Sequence, residues 1–166
     1  EDYALRTQVL DFAPAARSGA VEARLERDAC VHVSQGRFAA VGPWTSVFEH
    51  LPAGLPVFEA RRHVAAPGFI DAHIHLPQID VIASAAPGLL AWLARHTFPA
   101  ETAWADPAVC EQGADYFLDE LARQGTTSAC VFGSVHAGSV EALFAAAQDR
   151  GQRLVAGKCL MDTHCP

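Results

Sequence analysis

From Ala66 onward, short apolar runs rich in β-branched and small residues alternate with capped amphipathic stretches, and that alternation limits the fold more than any other feature. The first run, PGFIDAHIH, ends at His75, and GLLAWLARHTF follows, whose Leu89, Leu90, Trp92 and Leu93 suit a short helix. Asp106 is placed to cap a longer helix, with Pro107 at its first position and Gly125 just past its end. Cys110, Ala114, Phe117, Leu118 and Leu121 would form its apolar stripe. TTSACVFG reads as a strand. Ser139 is placed to cap VEALFAAAQDR, where Val140, Leu143, Phe144 and Ala147 share a face and Gly151 ends the helix. RLVAGKCLMD reads as the next buried strand.

Strand, helices, strand, helix, strand means repeated βαβ units and a parallel sheet, so the fold class is α/β. Both the start of a (β/α)8 TIM-type barrel and a doubly wound sheet satisfy that order. No GxGxxG or Walker-type loop follows any of the strands, which weakens the nucleotide-binding version. Barrel enzymes place reactive residues at the C-terminal ends of strands, and His73 and His75 hold that position.

Before Val64 the pattern is β-like. ALRTQVLDF reads as a strand, and CVHVSQGRFAAVG as a hairpin turning at Gln35-Gly36, with Val31 and Val33 facing Phe38 and Val41. VFEARRHV is a further strand candidate. The expected organisation is a small β-sandwich-like domain over 1–65 and the first three β/α units of a barrel over 66–166. His32 and His63 fall on the small domain's strands, as structural or solvent-facing residues.

A net charge of −7 argues against a sequence-independent nucleic-acid binder, which needs a basic surface. VIASAAPGLLAWLA is too short, and too interrupted by Pro87 and Gly88, to span a membrane. The five cysteines (Cys30, Cys110, Cys130, Cys159, Cys165) are odd in number and form no CxxC, which favours reduced thiols in a cytoplasmic setting.

Chemistry concentrates in GFIDAHIHLPQ. Strand side chains alternate faces, so Asp71, His73 and His75 point one way while Ile70, Ala72, Ile74 and Leu76 point the other. Two imidazoles at i and i+2 can share one metal ion, and Asp71 could orient one of them or make only a local contact. Gln78, just beyond the strand, carries an amide that donates and accepts at once, which suits a purine or pyrimidine edge; a surface glutamine is the plain alternative. His136 follows the second barrel-type strand and Lys158 lies within the third. His96 and His164 read as loop residues, and Cys130 and Cys159 as buried small hydrophobes.

PGFIDAHIH, preceded by a small β domain with a QGRFAAVG hairpin, resembles the amidohydrolase superfamily. HLPQIDVIAS, LLAWLARHTFPAE, GTTSACVFGSVH and LVAGKCLMD are most similar to its guanine deaminase branch. The resemblance implies a metal-dependent barrel hydrolase converting guanine to xanthine and ammonia. It makes His73 and His75 zinc ligands, with iron able to accept the same donors, and Gln78 a purine contact. It also implies a small-molecule purine partner and a homodimer. The HxE…PCxxC signature of cytidine-type deaminases is absent. An 8-oxoguanine or triazine hydrolase is the neighbouring alternative, and a non-catalytic remnant the alternative of another class. The family's further His, His and Asp ligands and its proton-shuttling Glu come from later strands. The chain is therefore expected to be an N-terminal portion of an enzyme, inactive alone and holding no catalytic proton-transfer residue.

Overall fold

The structure, a computed structural model, describes residues 1–14 and 20–163; the candidate loop residue His164 and Cys165 lie outside the described residues. The chain divides into two compact units, Glu1–Pro67 and Gly68–Pro166.

In the first unit, strands β1 (Tyr3–Pro14), β2 (Val21–Ser34), β3 (Arg37–Pro43) and β4 (Val57–Ala65) form one four-stranded sheet in the order β3-β2-β1-β4. β1 runs antiparallel to β2 and parallel to β4. The β2–β3 hairpin has the expected register, pairing Val31 with Val41 and Val33 with Phe38. Its turn residues Gln35 and Gly36 have φ of 52° and 71°, as a two-residue hairpin with the right-handed twist of its strands requires. Asp2 secures this turn by accepting from the Ser34 hydroxyl and the Gln35 N–H, each at 2.9 Å. The Arg6 guanidinium grips Asp28 through two 2.7 Å hydrogen bonds and lies 4.4 Å from the Trp44 ring, on the single-turn helix α1 (Trp44–Phe48). His32 lies on β2 with its Nε2 buried, and His63 is exposed on β4.

In the second unit, β5 (Phe69–His75), β6 (Thr126–Phe132) and β7 (Arg153–Gly157) form a parallel sheet in that order. The unit is a mixed α/β layer. Helices α4 (Pro107–Arg123) and α5 (Ala137–Arg150) supply much of a core in which Leu76, Trp104, Phe117, Leu118, Val131 and Leu143 are buried. The buried stripe of α4 is the expected Cys110, Ala114, Phe117, Leu118 and Leu121, and Asp106 caps it by accepting from the Ala108 N–H at 2.8 Å.

Several expectations are corrected. The strand ending at His75 was expected to be buried, yet Ile70 is 76% exposed and Phe69 is exposed too. β7 was also expected to be buried, but Val155 is 70% exposed. Both are outer strands of a three-stranded sheet, so among the described residues each has one bonded neighbour, and the helices cover the face carrying Ala129 and Val131. β7 stops at Gly157, which puts Lys158 past the strand, its Nζ donating to the Val135 carbonyl at 3.3 Å. α5 starts at Ala137, so Ser139 is not its cap, and Phe144, about 100° round the helix from Leu143, is 46% exposed. Cys130 and Cys159 are half-buried rather than buried.

The predicted short helix extends as α2 (Leu89–Trp92), a π-helical turn (Leu93–Thr97), α3 (Phe98–Thr102) and a 3₁₀ turn (Ala103–Ala105). Pro99 has no N–H to give to the preceding turn, and a π turn is one way a helix absorbs that loss. His96 thus belongs to a helix rather than a loop, its Nε2 lying 3.1 Å from the Ala85 carbonyl oxygen.

Gly113 in α4 faces Trp104 closely enough that a Cβ there would lie 2.8 Å from indole Cζ2 and closer still to Cη2. Gly to Ala inside a helix normally gains about 1 kcal/mol. Here Gly113→Ala should instead lose about 1–3 kcal/mol through overpacking. Urea unfolding followed by tryptophan fluorescence checks the sign; a raised midpoint would mean that the indole moves aside.

Candidate metal centre

β5 delivers the two histidines by strand parity. Their Nε2 atoms face each other at 3.2 Å, and both rings lie against Phe132, with centroids 4.8 Å and 4.9 Å away. Phe132 is the register partner of His75 across the β5–β6 pair. Two nitrogens bound to one tetrahedral ion at about 2.0–2.1 Å each would stand roughly 3.3 Å apart. The observed separation therefore fits a shared divalent ion, and the all-imidazole donor set suits zinc, copper, iron or nickel. Among the described residues no group of three or more His, Cys, Asp or Glu side chains comes together to hold a metal, so the pair would offer an ion two donors.

Burial, and then the neighbouring His73 charge, hold the His75 pKa below its ordinary value of 6.5. A neutral imidazole keeps a lone pair for a cation. The Asp71 carboxylate accepts from the His73 backbone N–H at 3.0 Å. That is the local contact, and it fixes the backbone between the aspartate and the first histidine.

A 3₁₀ turn (Leu76–Val81) follows β5 directly, anchored by buried Leu76 and Pro77, and carries Gln78. Gln78 lines a cavity of about 550 Å³ together with His73, His75, Ile79, Trp92 and Phe117. Residues from both faces of β5 contribute, so the cavity runs along the edge of β5 that has no strand partner among the described residues.

Three participants escaped the sequence reading. Phe132 could have been found by carrying strand parity across to β6. Glu101, on α3, is 5% exposed, and burial pushes its carboxyl pKa up, opposed by a hydrogen bond from Gln78 and the nearby His136. Its signal was an acid in an otherwise apolar helical stretch. The third is a serine pair: the Ser139 hydroxyl accepts from the Ser134 N–H at 3.1 Å and donates to the His136 carbonyl at 2.8 Å, tying down the loop after β6. His136 itself has a buried Nε2 with no hydrogen-bond partner among the described residues. The sequence candidates His73, His75 and Gln78 thus come together, while Lys158 and His96 are engaged elsewhere.

The model of the amidohydrolase family matches residues 64–164. The chain belongs to the amidohydrolase family. Guanine deaminase of Escherichia coli (strain K12) is 38% identical over 143 residues, covering 86% of this chain and 33% of that protein. A probable guanine deaminase of Deinococcus radiodurans is 43% identical over 130 residues, covering 76% of this chain and 30% of the relative. The solved E. coli guanine deaminase superposes with a TM-score of 0.89 at 34% identity, over 99% of this chain and 39% of that one. This amidohydrolase chain thus spans about a third of the length of the curated relatives it matches.

Because the folded state resists protonating His75, stability tied to its neutral form is full above pH 6.5 and is lost as pH falls through the lower folded value. Protons should compete with metal in the same direction. Zinc titration at pH 7 and pH 5.5, followed by histidine ring NMR, should show weaker binding at the lower pH. His73→Ala or His75→Ala should weaken zinc binding by more than about tenfold at either pH.

Proposed function

We propose that this chain supplies the first part of the catalytic unit of an amidohydrolase that converts guanine and water to xanthine and ammonia. The observation that carries this reading is the His73–His75 pair, spaced for one ion, opening with Gln78 onto the same cavity. The identity to guanine deaminases across most of the chain supports the substrate class. On this reading, residues 66–166 are the opening β/α units of a (β/α)8 barrel and residues 1–65 part of a β-sandwich. The open strand edges and exposed apolar residues of β5 and β7 fit such a role.

The proposed division of labour follows from the geometry. His73 and His75 hold the metal, preferably zinc, through Nε2, and Phe132 fixes both ring planes. When bound, such an ion lowers the pKa of water to about 7 and so supplies a nucleophile at neutral pH. Gln78 offers a donor and an acceptor to the purine edge. Apolar Ile79 and Trp92 exclude water from the ring faces. Asp71 keeps the backbone before His73 in register. The remaining ligands and the proton-transferring carboxylate would come from outside this stretch.

The test is guanine turnover by the complete, zinc-loaded protein beside its His73→Ala variant. Xanthine should form. The variant should lose more than about a hundredfold in kcat/KM, since even outer partners of metal ligands cost about 10–100-fold. A folded, zinc-loaded protein inert towards guanine would move the substrate to another aminated or chlorinated heterocycle.

A further inference from the structure

Ile82 lines the cavity that His73, His75 and Gln78 open onto, yet it is 74% exposed. Little packing fixes such a side chain, so its place is set by the backbone on either side. It directly follows the 3₁₀ turn that carries Gln78, with φ of −54° and ψ of 134°. The Val81 carbonyl accepts from the Ser84 N–H at 3.2 Å and from the Ser84 hydroxyl at 2.7 Å. These are the features of a type II turn, with Ile82 at its first central position and Ala83 at its second. Glycine is usual at that second position, because φ must be positive there. Ala83 adopts a φ of 61° with a Cβ in place, a strained conformation that persists only where neighbouring contacts hold it.

One such contact comes from outside the turn. His96 Nε2 lies 3.1 Å from the Ala85 carbonyl oxygen, eleven residues back along the chain. A carbonyl oxygen only accepts, so this nitrogen carries its proton and donates. His96 stands on the π-helical turn that follows α2, and Trp92, the last residue of α2, lines the same cavity. The bond therefore ties the segment that presents Ile82 to the helical stretch that presents Trp92.

We propose that His96 is a positioning residue, which by holding the Ala85 carbonyl keeps the strained Val81–Ser84 turn closed and Ile82 against the ring of the bound substrate. An apolar wall touches substrate and transition state alike, so its loss falls on KM rather than on kcat. The proposal rests on the purine reading above and adds what holds one wall of the pocket in place.

The test uses the complete, zinc-loaded protein with His96→Phe, His96→Gln, Ile82→Ala and the His96→Phe, Ile82→Ala pair. Phenylalanine keeps a ring without the N–H, whereas glutamine sets its Nε2 as many bonds from the backbone as the histidine does. His96→Phe should raise KM for guanine about fivefold, or about 1 kcal/mol, with kcat within about twofold. His96→Gln should keep KM within about twofold of the original, because the donor is retained. In the Ile82→Ala background His96→Phe should add little, since the histidine acts through that side chain. An unchanged KM in His96→Phe overturns the proposal, as does a loss confined to kcat or a glutamine variant as impaired as the phenylalanine one. Should His96→Phe fail to fold, ring NMR of the unaltered protein at about pH 8 decides. The Nε2-protonated tautomer is expected, and a His96 protonated on Nδ1 alone overturns the inference. A protein inert to guanine overturns the substrate reading and this inference with it, whereas an active enzyme with an additive cycle overturns this inference alone.

Discussion

Parallel pairing of β5, β6 and β7 is the constraint on which the rest of the second unit depends. It brings the three C-terminal strand ends together, so every segment that leaves the sheet there starts from the same place. Gln78 leaves β5, the Gly133–His136 loop leaves β6, and Cys159 follows β7 closely enough for its N–H to reach the Ser134 carbonyl at 3.0 Å. Antiparallel neighbours would have sent alternate segments to opposite ends, and no such cluster could form. With α4 and α5 on one face, the other face of the strands is left to the histidines and Phe132, which explains how reactive groups and a packed core share three short strands.

The buried carboxyl of Glu101 shows how that cluster is balanced. Removing an acid from water favours its neutral form, and burial is the largest influence on this group. The Gln78 hydrogen bond and the attraction of His136 work in the opposite direction and lessen the cost. The sign has a reciprocal effect on Cys159, whose thiol is pushed up first by burial and then by the neighbouring Glu101 charge. A thiol held neutral in this way is a poor metal ligand and a poor nucleophile. Cys159 is therefore a packing element, as its sequence context implied, although half-buried.

Local rules written into particular residues were legible in advance. Period-two alternation placed His73 and His75 on one face of β5. Asp106-Pro107 and Gly125 marked the ends of α4, and the 3.6-residue spacing named its buried stripe without error. What failed depended on neighbours that a single stretch does not reveal. β7 reads as a buried strand because its residues are apolar, but burial is decided by what lies beside and above it. Ser139 has the chemistry of a cap, yet Ser134 and the His136 carbonyl claim its hydroxyl. Phe132 and Glu101 were missed for a related reason. Each acquires its role only through a partner far away in sequence, His75 for one and Gln78 for the other.

The pairing of Phe132 with the histidines also bears on how two imidazoles of one strand could hold an ion. Two imidazole nitrogens 3.2 Å apart cannot both carry a proton and a positive charge without strong repulsion, and His73 already contributes to lowering the His75 pKa. His75 therefore favours its neutral form, which keeps a lone pair for a cation. Left free, each ring would lose rotational freedom on binding an ion, and that loss would come out of the affinity. Here the Phe132 ring, stacked 19° from the plane of His75 and tilted 43° to His73, restrains both before any ion arrives. The sheet register that places Phe132 opposite His75 thus acts on the candidate metal site directly, through the orientation of the two imidazoles.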